Sequence, residues 1–105
     1  MADAKKQLTN LLEREAFDPV MRARPHGRSD ADGRKLKQVQ DKTRAEIDRF
    51  RGYGSAQEVV TNFKRDLSSE PAKKVHRELK ALGLPTLNDI RERFEAKADE
   101  LGVHG

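Results

Sequence analysis

The sequence predicts an all-α protein, a compact antiparallel bundle of four to five short helices in a single helical domain that spans residues 1–105. Three observations support this prediction. No stretch alternates apolar and polar residues as half-buried strands do, apolar residues recur at helical spacing, and capping or stop residues separate the periodic segments. We expect an N-terminal helix at residues 1–16, a connector at 17–29 and a helical core at 30–102.

The first predicted element is a short amphipathic helix whose apolar stripe consists of Leu8, Leu11 and Leu12. The segment FDPVMRARPHGRSDADG follows it and contains two prolines and two glycines, a composition that is typical of a connector with at most one helical turn, at Pro19 to Arg22. Because this connector separates the helix from the core, the three leucines are candidate contacts for self-association or for a partner protein.

The second helix is predicted to run from about residue 30 to residue 51, where Gly52 and Gly54 end it. The third helix begins at a capping box, with Ser55 as the N-cap and Glu58 three residues later. The apolar face of the second helix is formed by residues at helical spacing: Leu36, Val39, Thr43, Ile47 and Phe50.

The fourth helix is predicted to start within SSEPAKK, where a serine can cap it and Pro71 lies in the first turn, where its missing N–H costs nothing. Gly83 suits the left-handed position after the helix, and Pro85 prevents the helix from continuing. Thr86 and Asp89 then cap the last helix, because they stand three residues apart at its start.

The stretch KALGLPTLND is similar to the turn of a DNA-reading helix-turn-helix, and LKALGLPT resembles the corner of the SAP type of DNA-binding helical hairpin. A helix-turn-helix places the helix after the turn in the major groove. The segment from Leu87 to Leu101 carries three basic and five acidic side chains, so DNA phosphates would repel it. The Gly-x-Lys that follows a SAP corner is also missing, and we interpret the stretch as a structural corner.

Composition limits the class of protein. Charged residues make up 38% of the chain and apolar residues 34%, which predicts a folded domain of modest stability. The absence of cysteine excludes disulfides, thiolate zinc sites and cysteine nucleophiles. No apolar run approaches the length of a membrane span, and the first residues lack the apolar core of a signal peptide. We therefore expect a cytoplasmic protein with no membrane partner.

The positive charge is concentrated in one segment. Residues 22–51 hold ten basic and five acidic side chains, an excess of +5 in a chain whose net charge is +4. The basic residues of the second helix form two lines, one on each side of the apolar stripe. Two interpretations stay open: the stems cover apolar surface while the charges remain in water, or the segment follows a phosphate backbone. The two lines are Lys35–Lys42–Arg49 and Lys37–Arg44–Arg51.

The residue types of catalytic and metal sites occur without the spacing that those sites need. His26, His76 and His104 are far apart, and none belongs to a His-Glu-x-x-His motif. RSDADGRKLKQV half-matches a calcium loop, but Arg28 would occupy the first ligand position and Val39 the twelfth. A bundle of this size also leaves little room for an enclosed pocket of several hundred Å³. We predict no enzymatic activity, no cofactor and no metal.

These observations favour a small non-enzymatic helical module with a protein-interaction or regulatory role, for which another protein or a second copy of the chain is the expected partner. The candidate contacts are Leu8, Leu11 and Leu12. The alternative is weak, sequence-independent binding of nucleic acid or another polyanion through residues 22–51. Its candidate contacts are the basic side chains of that segment: Arg22, Arg24, Arg28, Lys35, Lys37, Lys42, Arg44, Arg49 and Arg51.

Overall fold

The computed structural model describes residues 3–24 and 30–104 of the chain. Over these residues it shows five helices and no strand, which confirms the all-α bundle that the sequence predicts. The first helix, α1, covers residues 4–22 and is capped by Asp3, whose carboxylate accepts the N–H of Lys6 at 3.3 Å. It consists of an α-helical, a π-helical and a second α-helical segment: Ala4–Leu12, Glu13–Phe17 and Asp18–Arg22.

The first helix continues into the segment predicted as a connector: residues 17–22 are helical, which includes the turn that the sequence allows at Pro19 to Arg22. Pro19 lies in the first turn of the last α-helical segment. Its ring crowds the preceding turn, and its backbone nitrogen has no N–H to donate. The π-helical turn directly before it is wider than an α-helical turn and accommodates the ring. Residues 25–29 of the predicted connector lie outside the residues that the structure describes.

Serine caps separate the central helices. The Ser55 hydroxyl accepts the N–H of Glu58 at 3.2 Å, and the Ser69 hydroxyl accepts the N–H of Ala72 at 3.3 Å. Both helix starts are therefore those that the sequence predicts. The remaining helices are α2 (Asp30–Gly52), α3 (Ala56–Ser68), α4 (Glu70–Ala81) and α5, in which the 3-10 segment Leu87–Ile90 continues as the α-helix Arg91–Glu100.

The predicted corner between α4 and α5 is confirmed. Gly83 has a φ of +74°, the left-handed conformation that favours glycine. The N–H of Leu84 donates to the carbonyl oxygen of Leu79 at 2.9 Å, which closes a Schellman motif at the end of α4. The backbone N–H of Thr86 donates to the Asp89 carboxylate at 2.8 Å and starts α5.

The core consists of two clusters of buried side chains. The larger cluster joins α1 to α3 and α5, and the Phe63 and Phe94 rings stack within it with their centroids 3.9 Å apart. The smaller cluster joins the end of α1 to α2 and α4. Its buried members are Val20, Leu36, Val39 and Leu79.

Leu8, Leu11 and Leu12 belong to the larger cluster, and their assignment as candidate partner contacts is wrong for this fold. Their exposed fractions are 0%, 8% and 0%. The stripe packs against α3 and α5 of the same chain, because burying three leucines inside the domain removes their apolar surface from water without a second molecule.

Candidate ligand-binding cleft

A cleft of about 580 Å³ lies between the two core clusters. This volume falls within the range of small-ligand sites. The cleft is partly open to solvent, whereas the sequence-based argument on size concerned an enclosed pocket. The cleft is bounded by the second half of α1, by α2, by the junction of α3 and α4, and by the corner before α5. Its apolar lining includes Phe17, Val20, Val75, Leu79, Pro85 and Leu87.

Three charged side chains form a cluster at the cleft. The Arg49 guanidinium on α2 pairs with Glu46 one turn earlier and with Asp66 on α3. The Asp66 side chain is only 8% exposed, whereas the other two keep about a third of their surface in contact with water. The sequence predicts the pairing of Glu46 with Arg49 from its helical spacing, but the third member comes from another helix.

The environment of Glu46 favours its protonated form. Burial and, next, the negative charge of Asp66 together raise the pKa of this carboxyl from 4.5 to about 7, against the opposing effect of the Arg49 guanidinium. One guanidinium stabilises two carboxylates here, so ionising both leaves an excess of negative charge. Glu46 consequently gains and loses a proton near neutral pH.

His76 on α4 also lines the cleft. Only 9% of its surface is exposed, and its Nδ1 atom has no hydrogen-bond partner. Burial lowers the pKa of this imidazole, while the negative charges of Asp66 and Asp89 raise it less. The imidazole is therefore neutral at pH 7, with one nitrogen available as an acceptor.

The rim of the cleft is positively charged. Lys42, Arg65 and Lys74 line it and are exposed. The Lys42 ammonium lies 3.7 Å from the Glu78 carboxylate, and both side chains are partly in water. The cleft thus combines an apolar wall, the cluster of Glu46, Arg49 and Asp66 inside it, and a basic rim.

The structure separates the nine candidate polyanion contacts. Lys42 and Arg49 line the cleft on one side of α2, Arg51 pairs with Glu13 on the other side, and Lys35 is exposed. The two lines stay apart because the apolar stripe between them packs into the core. Arg28 lies outside the described residues.

The four remaining candidates lie around one contact between α1 and α2. The Gln40 side-chain amide donates to the carbonyl oxygens of Val20 at 3.1 Å and Ala23 at 3.0 Å. This contact holds the end of α1 against α2. On α2, Lys37 and Arg44 lie about one turn before and after Gln40. We call the group the basic surface; its exposed members are Arg22, Arg24, Lys37 and Arg44.

Sequence reasoning missed Asp66 and His76 as cleft residues. A signal for Asp66 was present, since an acid stands between Phe63 and Leu67 on the apolar side of the third helix. An acid at such a position is normally buried only with a partner. The identity of that partner depends on how α2 and α3 pack, which periodicity within one helix does not contain.

Comparison of the chain with known protein families, with curated proteins and with solved structures gives no match. In the described part of the chain, no helix combines the length and the apolar character needed to cross a membrane. Over the same residues, no three or more His, Asp or Glu side chains are grouped so that they could hold a metal ion. The cleft and the basic surface are therefore the two features that bear on function.

Proposed function

We propose that this protein is a non-enzymatic interaction module whose cleft binds a short amphipathic segment of another protein. The observation that carries the proposal is an apolar cleft of about 580 Å³ surrounded by exposed basic side chains. Docking of apolar side chains into a groove, with charges at its edge, is a common mode of peptide recognition. The proposal includes the cytoplasmic location that the sequence predicts.

The chemistry of the occupant follows from the lining. Apolar side chains of the partner would bury surface against Phe17, Val75 and Leu79, which line the cleft. Acidic residues flanking those side chains would meet Lys42, Arg65 and Lys74 at the rim, an arrangement that speeds association and selects the partner. The expected occupant is therefore a helix with an apolar face and acidic flanks.

A matched pair of double variants tests this proposal. Lys74→Glu with Arg65→Glu reverses two rim charges, whereas Lys73→Glu with Lys64→Glu changes the neighbouring residues, which do not line the cleft. The two proteins have the same net charge. The probes are synthetic amphipathic peptides with leucine and phenylalanine at helical spacing and either glutamate or lysine flanks, measured by fluorescence anisotropy and by backbone amide chemical shifts.

We expect the glutamate-flanked peptide to bind the original protein and to shift the amide signals of cleft residues. The rim variant should weaken this binding about tenfold, since each exposed charge contributes up to about 1 kcal/mol, and the control variant should change it less than about threefold. Equal weakening in both variants, or the absence of shifts at the cleft at about 1 mM peptide, contradicts the proposal.

A second candidate function, weak sequence-independent polyanion binding, is supported by the Gln40 contact that gathers the basic surface. Four phosphate contacts predict that log K falls with log salt with a slope of about −3 to −4. Short DNA and RNA strands in fluorescence anisotropy would measure it. Lys37→Glu with Arg44→Glu should reduce the slope, and the Lys73→Glu, Lys64→Glu control should reduce it less. Absence of binding at about 50 mM salt contradicts this candidate.

A further inference from the structure

The two carboxyl groups of the cluster, Glu46 and Asp66, share a single positively charged partner. Arg49 is the only basic side chain of the described residues within ion-pair distance of Glu46 or Asp66. Because the Asp66 side chain is 8% exposed, water compensates little of the excess charge, and charges in such surroundings interact more strongly than at the surface. A further cation at this point would balance the cluster.

The acidic and imidazole side chains that line the cleft here are acceptors of hydrogen bonds, and one buried donor without a partner, Arg49 Nε, lies beside them. Ionised Glu46 and Asp66 can only accept, and neutral His76 offers one acceptor nitrogen. His76 is more than nine-tenths buried, lines the cleft and has an Nδ1 atom without a partner. An ammonium group supplies three donors and one positive charge, and it therefore matches both the charge and the hydrogen-bonding capacity of the cluster.

On this basis we propose, as an extension of the proposed function, that the docked segment inserts one lysine side chain into the cleft and that its ammonium replaces a proton on the Glu46 carboxyl. The apolar stem of lysine can pack along the cleft wall while the ammonium reaches the cluster. The partner then complements the whole cleft: a positive tip inside, apolar side chains around it and acids at the basic rim.

The exchange is balanced in charge and protons. In the free protein the raised pKa of the Glu46 carboxyl leaves it partly protonated near pH 7. The arriving ammonium stabilises the carboxylate, and the proton leaves to the solvent. Neither α1 nor the corner contributes a charged or titratable group to the cleft lining. Besides Glu46, the groups of this kind that line the cleft belong to α2, α3 and α4: Lys42, Arg49, Arg65, Asp66, Lys74 and His76.

The first experiment needs no peptide. The Glu46 side-chain carbon is titrated by NMR in about 100 mM n-butylammonium chloride and in the same concentration of sodium chloride, so that ionic strength is equal. We expect butylammonium to lower the midpoint, because a bound cation favours the carboxylate. An unchanged midpoint overturns the inference.

The second experiment compares two glutamate-flanked peptides that differ only in one central residue, lysine or norleucine. At about pH 8 the lysine peptide should bind about tenfold more tightly, and this advantage should decline below pH 7 as Glu46 becomes protonated. Calorimetry at about pH 7, in buffers of different ionisation enthalpy, should detect the proton that binding releases from the partly protonated Glu46 carboxyl. Glu46→Gln should remove both effects, while Glu92→Gln on the exposed side of α5 should change neither.

The outcomes separate this inference from the function on which it rests. Binding of the norleucine peptide as tightly as the lysine peptide at about pH 8 overturns the lysine site but leaves the protein-binding cleft standing. Butylammonium that binds as tightly as the lysine peptide identifies a free amine as the ligand and overturns the docked lysine. If the midpoint moves but neither peptide binds at any pH, both the partner segment and its lysine are wrong.

Discussion

Arg49 on α2 and Asp66 on α3 form an ion pair in the lining of the cleft, and the Asp66 side chain is almost completely buried there. Breaking a buried pair on one side leaves an unpaired charge, which is strongly unfavourable. Glu46 uses the same guanidinium. The charges of Arg49 and Asp66 both act on Glu46, so removing one of them is measurable in the pKa of Glu46.

Replacing Asp66 with asparagine should lower the pKa of Glu46 below its value of about 7, because the Asp66 charge is one of the causes that raise it. An NMR titration of the Glu46 carboxyl measures the midpoint. Asp48→Asn, which removes an exposed acid from the same helix, should leave the midpoint nearly unchanged. A midpoint that rises in the Asp66→Asn protein contradicts the assignment of the cluster.

Glu46 should make the protein less stable as the pH rises. Its pKa is about 7 in the folded protein and 4.5 as the reference, so the folded state binds more protons between these values and stability declines across that window. The shift sets an upper limit of about 3 kcal/mol, and the carboxyl is 35% exposed, so screening by water leaves about 1–2 kcal/mol. Urea unfolding at several pH values should show this decline, and Glu46→Gln should abolish it.

His76 should act in the opposite direction. Its pKa is lowered in the folded state from 6.5, so the unfolded chain binds more protons just below that value and stability is lost as the pH falls. The Glu46→Gln protein should therefore become more stable as the pH rises toward 6.5 and above. Adding His76→Leu should flatten this dependence, whereas replacement of exposed His104 with glutamine should not. An unaltered slope after His76→Leu excludes the assignment.

Leu12→Ala should destabilise the protein by about 2–5 kcal/mol, since the side chain is fully buried in the larger core cluster. Asn10→Ala on the exposed side of α1 should change the free energy of unfolding by less than about 0.5 kcal/mol. Denaturant unfolding measures both. A Leu12→Ala protein of unchanged stability that has lost a partner contact would restore the partner-binding assignment of the stripe.

Gly83→Ala should cost about 1 kcal/mol, because φ at this position is +74° and a Cβ atom is disfavoured in that conformation. The added Cβ atom would meet no atom of a more distant residue within 4 Å, so the cost arises from the backbone conformation of residue 83 and not from contacts with the rest of the protein. The control is Gly54→Ala, at which φ is not positive and which should be neutral or slightly stabilising. Equal thermal shifts in the two variants contradict this explanation.

Helix starts and stops were predictable because their causes are local. The hydrogen bonds that cap the helices join residues three apart along the chain, Ser55 with Glu58 and Thr86 with Asp89. Gly83 adopts a positive φ, which depends only on its own backbone. The end of α1 was not predictable from its proline, since the π-helical turn that accommodates Pro19 depends on how the whole segment packs.

The sequence by itself determined the all-α class, the capped boundaries of the later helices and the excess of positive charge in residues 22–51. Only the tertiary structure decided that the leucine stripe of α1 is internal and that Arg49 meets Asp66 at a cleft. The physical reason is range. Caps and helical periodicity act over a few residues, whereas burial and ion pairing depend on which helix faces are brought together by the packing of the entire chain.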